Sequence, residues 1–255
     1  MRNKKIIVAN WKMNPLTVKE AEKLWKGVAN NTPSLRKTEV VVCPPVIYID
    51  ALKKLSRKII LGAQNAFLGD TGAFTGEVSS EMLYLSGVRY VILGHSERRV
   101  RGETDMDINK KLKSALSSGL RPIFCVGETV RDEEHGYFNV VKEQLDAGFQ
   151  GVSKNSIKNI TVAYEPVWAI SSTPGRRDAT PEDSSEMAIF IRKVLSDKFG
   201  REATRVNIIY GGSVNDREAE GFIVRGGVDG LLVGKASLNP EKFSKIVKIC
   251  EISAK

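Results

Sequence analysis

Eight short apolar runs punctuate the chain, at Lys5–Ala9, Val40–Cys43, Ile59–Ala63, Tyr90–Leu93, Pro122–Val126, Ile160–Tyr164, Val206–Tyr210 and Gly230–Val233. Runs of Val, Ile, Leu and aromatic residues bounded by turn formers are what strands buried on both faces require, so they predict a parallel sheet. Between the runs, apolar residues recur with helical period. Thr17 to Ala29 opens on a capping box made by Thr17 and Glu20. Asp105 to Ser118 aligns Ile108, Leu112, Ala115 and Leu116, and Glu186 to Lys198 aligns Met187, Phe190, Ile191, Val194 and Leu195. Strand and helix alternate eight times in 255 residues with no linker or low-complexity tract. That pattern predicts one (β/α)8 barrel domain of eight parallel strands, spanning residues 1–255. The alternative, a doubly wound open sheet, usually shows a glycine-rich turn after its first strand, and here that turn reads ANWKMNP.

In a barrel of this kind chemistry sits just past the C-terminal ends of the strands. The first strand runs into Asn10-Trp11-Lys12 and the fourth into Gly94-His95-Ser96-Glu97. The sixth ends on Glu165, the seventh on Gly211-Gly212-Ser213 and the eighth on Gly234-Lys235. Pro166 takes the chain out of the sheet directly after Glu165. A polar loop follows, closed by Thr180-Pro181-Glu182-Asp183, which is an N-cap, a first-turn proline and two acids. A carboxylate beside a loop able to close over it is how a general base is mounted. Taken singly, each residue has a plainer reading: Glu165 in a surface salt bridge, Lys12 solvated, His95 in the core, Gly211-Gly212 as a tight turn. Their joint placement around one ring selects a pocket.

Composition narrows the classes. With 42% hydrophobic and 27% charged residues the chain is an ordinary globular mix, and no apolar run approaches the ~20 residues of a membrane span. The N-terminus offers no run long enough for a signal sequence, so a cytoplasmic protein is expected. Cys43, Cys125 and Cys250 are widely spaced and read as reduced thiols; with only His95 and His135 available, a structural zinc site is not expected. The net charge of +9 invites a nucleic-acid reading. The bases, however, are interspersed with acids, and the densest cluster, Arg98-Arg99-Val100-Arg101, has no interleaved aromatics. Neither a nucleic-acid nor a membrane partner is expected; an anionic substrate is compatible.

The segments VANWKMN (8–14), GAFTGEVS (72–79), YVILGHSERR (90–99), CVGE (125–128), AYEPVWAI (163–170), YGGSV (210–214) and VDGLLVG (228–234) resemble the triosephosphate isomerase family in order and spacing. The resemblance implies a cofactor-free interconversion of dihydroxyacetone phosphate and D-glyceraldehyde 3-phosphate through an enediolate, a step of glycolysis and gluconeogenesis. It implies Glu165 as base, His95 as electrophile, Lys12 as fixed cation, Asn10 as a further donor and Glu97 as support for Lys12. It further implies a phosphate grip from amides at Ser213, Gly234 and Lys235, and a homodimer whose loop 65–79 carries Thr75 to the partner's pocket. Two departures stand out. The lid after Ile170 reads SSTPGRRD, longer than usual and with one glycine, so Gly175 is the expected phosphate contact and Arg176 or Arg177 an added charge. The last turn carries Lys235 where a second glycine is usual. Two rivals remain: Lys12 as a Schiff-base nucleophile on the same barrel, which needs a lysine of low pKa, and a nucleic-acid binder on an inactive barrel.

Overall fold

A computed structural model describes residues 4–55, 58–170, 173 and 175–254. Its strands are β1 (Lys5–Asn10), β2 (Thr38–Cys43), β3 (Ile60–Ala63), β4 (Tyr90–Leu93), β5 (Arg121–Val126), β6 (Thr161–Tyr164), β7 (Asn207–Tyr210) and β8 (Gly230–Val233). They pair in parallel in sequence order, and β8 returns to β1, closing the barrel. The helices are α1 (Val18–Asn31), α2 (Ile49–Leu52), α3 (Ser80–Leu85), α4 (Ser96–Arg99), α5 (Asp105–Ser117), α6 (Tyr137–Gly148), α7 (Pro181–Phe199), α8 (Ala219–Arg225) and α9 (Pro240–Ser253). No helix of the described residues is long and apolar enough to cross a membrane.

The expected strands all form, two with the expected bounds and the others with an edge shifted by one or two residues. Ile160 and Val206 lie just outside β6 and β7 because their N–H groups donate to Ile157 and Ala203, finishing single helical turns. The helix expected from Glu186 begins five residues earlier, at Pro181. Thr180 caps it, accepting from the Asp183 N–H while the Asp183 carboxylate accepts from the Thr180 N–H.

Residues two apart share a face of a strand, and the closed sheet turns one face inward. Ile6 and Val8, Val41 and Cys43, Tyr90 and Ile92, Ile123 and Cys125 fill the interior together with Ala163, Ile209 and Leu232. The alternate positions, such as Ile7, Val40, Val91, Phe124 and Val162, join the larger core beneath the helices. At the N-terminal mouth the inward positions turn polar: Tyr90 OH donates to Glu39 (2.6 Å) and Arg121 donates to Tyr90 OH (3.1 Å).

Closure depends on close backbone approach at the β8–β1 seam. A side chain at Gly230 would place its Cβ 1.8 Å from the Ile6 carbonyl oxygen. Gly230→Ala is therefore expected to destabilise the fold by about 1–3 kcal/mol or more, as overpacking against immobile backbone does. A urea midpoint within error of the parent protein would contradict this.

Candidate active site

Continuing the inward alternation one step past the apolar layers gives Asn10 after Val8, Glu165 after Ala163, Gly211 after Ile209 and Gly234 after Leu232. All four line one cleft at the C-terminal mouth, together with Lys12, His95, Ser213 and Lys235. The three ionisable groups expected to meet, Lys12, His95 and Glu165, do so.

Glu165 is 2% exposed. Its N–H still belongs to the sheet, donating to the Val126 carbonyl (2.8 Å). One carboxylate oxygen lies 3.3 Å from His95 Nε2 and the other accepts from the Ser96 N–H at 3.4 Å. Gly211 makes room for it, since a Cβ there would sit 2.7 Å from Glu165 Cγ. His95 is the N-cap of α4, and its Nδ1 accepts from the Glu97 N–H (3.1 Å). With Nδ1 an acceptor, the proton of the neutral ring resides on Nε2, the nitrogen that faces Glu165.

Lys12 follows β1 with φ of 51°, left-handed backbone that a lysine rarely adopts. Its N–H donates to Asn10 Oδ1 (3.0 Å) and its ammonium donates to Glu97 (2.5 Å). The side chain passes Gly234, where a Cβ would lie 3.8 Å from Lys12 Cε. The cation thus stands between the imidazole turn and the β8 turn. There Gly234 caps a short helical turn, Lys235–Leu238, whose first amides have no acceptor within the turn. The Ser213 amide, expected in the same cradle, instead donates to the Ala169 carbonyl (3.2 Å). The lysine side chain of the departing position, Lys235, is exposed.

The described residues of the expected lid do not line the cleft. Ser171, Ser172 and Pro174 lie outside the described residues. Gly175 is exposed, with left-handed φ of 67°, and does not line the cleft. Neither arginine faces it: Arg176 pairs with Asp178 (2.6 Å), and the Arg177 guanidinium lies over the Trp168 ring at 4.4 Å. Trp168 in turn donates from Nε1 to Glu128 (2.7 Å), which also accepts from Tyr164 OH (2.8 Å). Burial pushes the Glu128 carboxyl above its ordinary pKa despite these donors. Glu128 lies in the CVGE segment, yet nothing in its spacing signals this contact. Gln64 was equally unforeseen, although it stands two residues beyond Gly62 on β3's inward face.

A second, larger cavity of about 490 Å3 adjoins the cleft and shares Asn10, Lys12 and His95 with it. Glu97, Gln64 and Arg98 line its floor. Loop 65–79 projects beside it, stiffened by the Phe67–Phe74 ring pair at 4.6 Å, and Thr75 is exposed at its tip. Among the described residues no group of three or more His, Cys, Asp or Glu is arranged to hold a metal.

A buried carboxylate facing an imidazole N–H, with an ammonium and orphan amides alongside, equips a (β/α)8 barrel for proton transfer on a small anion. The family model for triosephosphate isomerase matches residues 5–250. The chain is 46% identical over 250 residues to the triosephosphate isomerase of Carboxydothermus hydrogenoformans, covering 96% of this chain and 98% of that one. It is 43% identical to those of Aquifex aeolicus and Dictyoglomus thermophilum, over 96% of this chain and 98% and 99% of theirs. The protein belongs to the triosephosphate isomerase family.

Beneath the site the thiols of Cys43 and Cys125 are buried, and burial holds both well above the ordinary thiol pKa; the neighbouring Glu165 carboxylate raises Cys125 further. The Cys250 thiol is pushed up to about 11 by burial. A raised pKa keeps the unreactive neutral form at alkaline pH. Native protein at pH 8 to 9 is therefore expected to release no fast thiol to a disulfide reagent, and three after denaturation. Stoichiometric labelling of the native state would refute this.

Proposed function

We propose that the protein interconverts dihydroxyacetone phosphate and D-glyceraldehyde 3-phosphate, the proton shift of glycolysis and gluconeogenesis, without a cofactor. The observation that carries this reading is the Glu165–His95 pair, 3.3 Å apart in one cleft with Lys12. Glu165 takes a proton from the carbon next to the carbonyl, while His95 donates its Nε2 proton to the carbonyl oxygen. The charge that develops on the enediolate is met by the Lys12 ammonium, already in place and needing no reorganisation. The proton held by Glu165 returns to the adjacent carbon, while the hydroxyl on the carbon that lost it gives its proton to His95 Nε2, which restores the imidazole and forms the new carbonyl. One carbon is oxidised as its neighbour is reduced, so no external electron carrier is needed.

Amides of the Gly234–Lys235 turn suit the substrate's phosphate, as oriented N–H groups do. Ser213 can join once its N–H leaves Ala169, and Gly175 once the lid segment 171–179 swings over the cleft. Closure of that lid excludes water from the enediolate. The Schiff-base alternative is disfavoured by geometry, since the Lys12 side-chain nitrogen is already engaged by the Glu97 carboxylate.

The same reading includes a homodimer. Met13 is 90% exposed and Leu85 74%, with Val46, Ile47, Phe74 and Met82 also exposed on the chain. Met13 and Val46 line the 490 Å3 cavity, a space that a partner's loop 65–79 would fill.

Two measurements test the proposal. In a coupled assay Glu165→Gln is expected to lower kcat roughly 10²–10⁴-fold, the worth of a positioned base, with KM changed only a few-fold. Activity within threefold of wild type would remove Glu165 from the mechanism. In sedimentation at micromolar concentration the wild type should run as a dimer. Thr75→Arg should weaken the dimer by roughly 30-fold or more, the scale of an interface hot spot. A fully active wild-type monomer would refute the dimer.

A further inference from the structure

The cation of the site is mounted on backbone that does not favour its own conformation. Lys12 and His135 are the non-glycine residues with positive φ among those described. A side chain beyond Cα makes the left-handed region unfavourable, so such a residue persists only where its surroundings over-determine it. At Lys12 the restraint on the N–H comes from Asn10 and that on the ammonium from Glu97. The carbonyl is held from elsewhere. Gln64 Nε2 donates one hydrogen to the Lys12 carbonyl oxygen (2.8 Å) and the other to the Cys43 carbonyl oxygen (2.9 Å). Cys43 ends β2 and already accepts from the Trp11 N–H at 3.2 Å. One carboxamide therefore ties the peptide after Lys12 to the ends of two strands, where the barrel is rigid.

We propose that Gln64 is a positioning residue for the Lys12 ammonium. The inference rests on the reading of Lys12 as the electrostatic partner of the enediolate and phosphate. Both donors are needed: one fixes the left-handed peptide and the other anchors the amide itself. A hydrogen-bonded carboxamide offers this in a single planar group, whereas a carboxylate would turn two acceptors toward two carbonyl oxygens. With the carbonyl released, the backbone at Lys12 is free to relax toward negative φ, and the root of the side chain then turns away from the cleft. Displacement of a charged group by about 1 Å costs on the order of 100-fold in rate.

The test uses the full-length enzyme with Gln64→Met, uncharged and of similar length, and Gln64→Glu, which keeps the shape but reverses the hydrogen bonding. The expected result for both is a loss of kcat/KM on the order of 100-fold. Inhibition by glycerol 3-phosphate, the reduced and non-isomerisable counterpart of the substrate, should weaken about tenfold, as one charge contact displaced from a phosphate allows. A merely structural residue is excluded by repeating the inhibitor binding in a Lys12→Gly background, by calorimetry. Glycine adopts the left-handed region freely and has no ammonium to misplace. Gln64→Met should then change glycerol 3-phosphate affinity less than twofold, and its cost to the urea midpoint should be smaller than in the parent. Equal losses in both backgrounds, or kcat/KM within threefold of wild type in Gln64→Met, would overturn the assignment. If Gln64→Met does not fold, Gln64→Asn, one methylene short of both carbonyls, is read by the same criteria. An inactive wild-type enzyme would instead sink the isomerase reading and leave the affinity comparison to decide the role of Gln64.

Discussion

Everything at the active end of this molecule depends on the strict alternation of inward and outward positions around a closed parallel barrel. Closure fixes the register of all eight strands at once, and a one-residue slip in any of them would turn its interior residues outward. The inward positions are apolar through the middle of the barrel because no water reaches them. The first level at which an inward polar group can be satisfied is the mouth. Asn10, Gln64 and Glu165 occupy that level, each two residues beyond an inward position of its strand, Val8, Gly62 and Ala163. Gly211 and Gly234 occupy it as well. The missing Cβ at Gly211 is the space that Glu165 uses.

The remaining chemistry is mounted on loops, and loops need bracing. The first two residues of α4 and its cap do most of it. His95 directs Nε2 at Glu165 because its Nδ1 is bonded to the Glu97 N–H, Ser96 supplies an amide to Glu165, and Glu97 holds Lys12. The Lys12–Glu97 pair is partly exposed, with 26% and 44% of the side-chain surfaces accessible, so its contribution to stability is small. Its effect is orientation: a flexible side chain with several rotamers is confined to one region of the cleft before substrate arrives.

The barrel was legible in the sequence because strands buried on both sides read as short uninterrupted apolar runs, and helices between them as stripes. Errors fell at ends, where single helical turns at Ile157–Ile160 and Ala203–Val206 took residues that looked like strand. The helix beginning at Pro181 was cut short because its first residues are polar, although the cap itself was visible at Thr180. Lys12, His95 and Glu165 were legible because each is an ionisable residue within two positions of a strand's C-terminal end. Gln64 and Glu128 were not, since what they do consists of contacts to Lys12, Cys43, Trp168 and Tyr164, residues from 21 to 52 positions away in the chain. Gln64 could have been found by extending the inward alternation of β3 by one step. Nothing comparable exists for Glu128, whose partners are set by the path of the chain after β6.

That path also sets how the segment after Ile170 is anchored. The segment is held at its base by Trp168, whose ring lies against Arg177 at 4.4 Å and Arg131 at 5.9 Å and whose N–H is bonded to Glu128. Each such hydrogen bond is worth about 1 kcal/mol net and each cation–π contact of this exposure a similar amount. The contacts of Trp168 therefore hold the base of the segment by a few kcal/mol. Glu128 is not fully satisfied, since its second oxygen is buried with no hydrogen-bond partner among the described residues. Unpaired buried polar groups raise the energy of the state that contains them, by about 1–3 kcal/mol each.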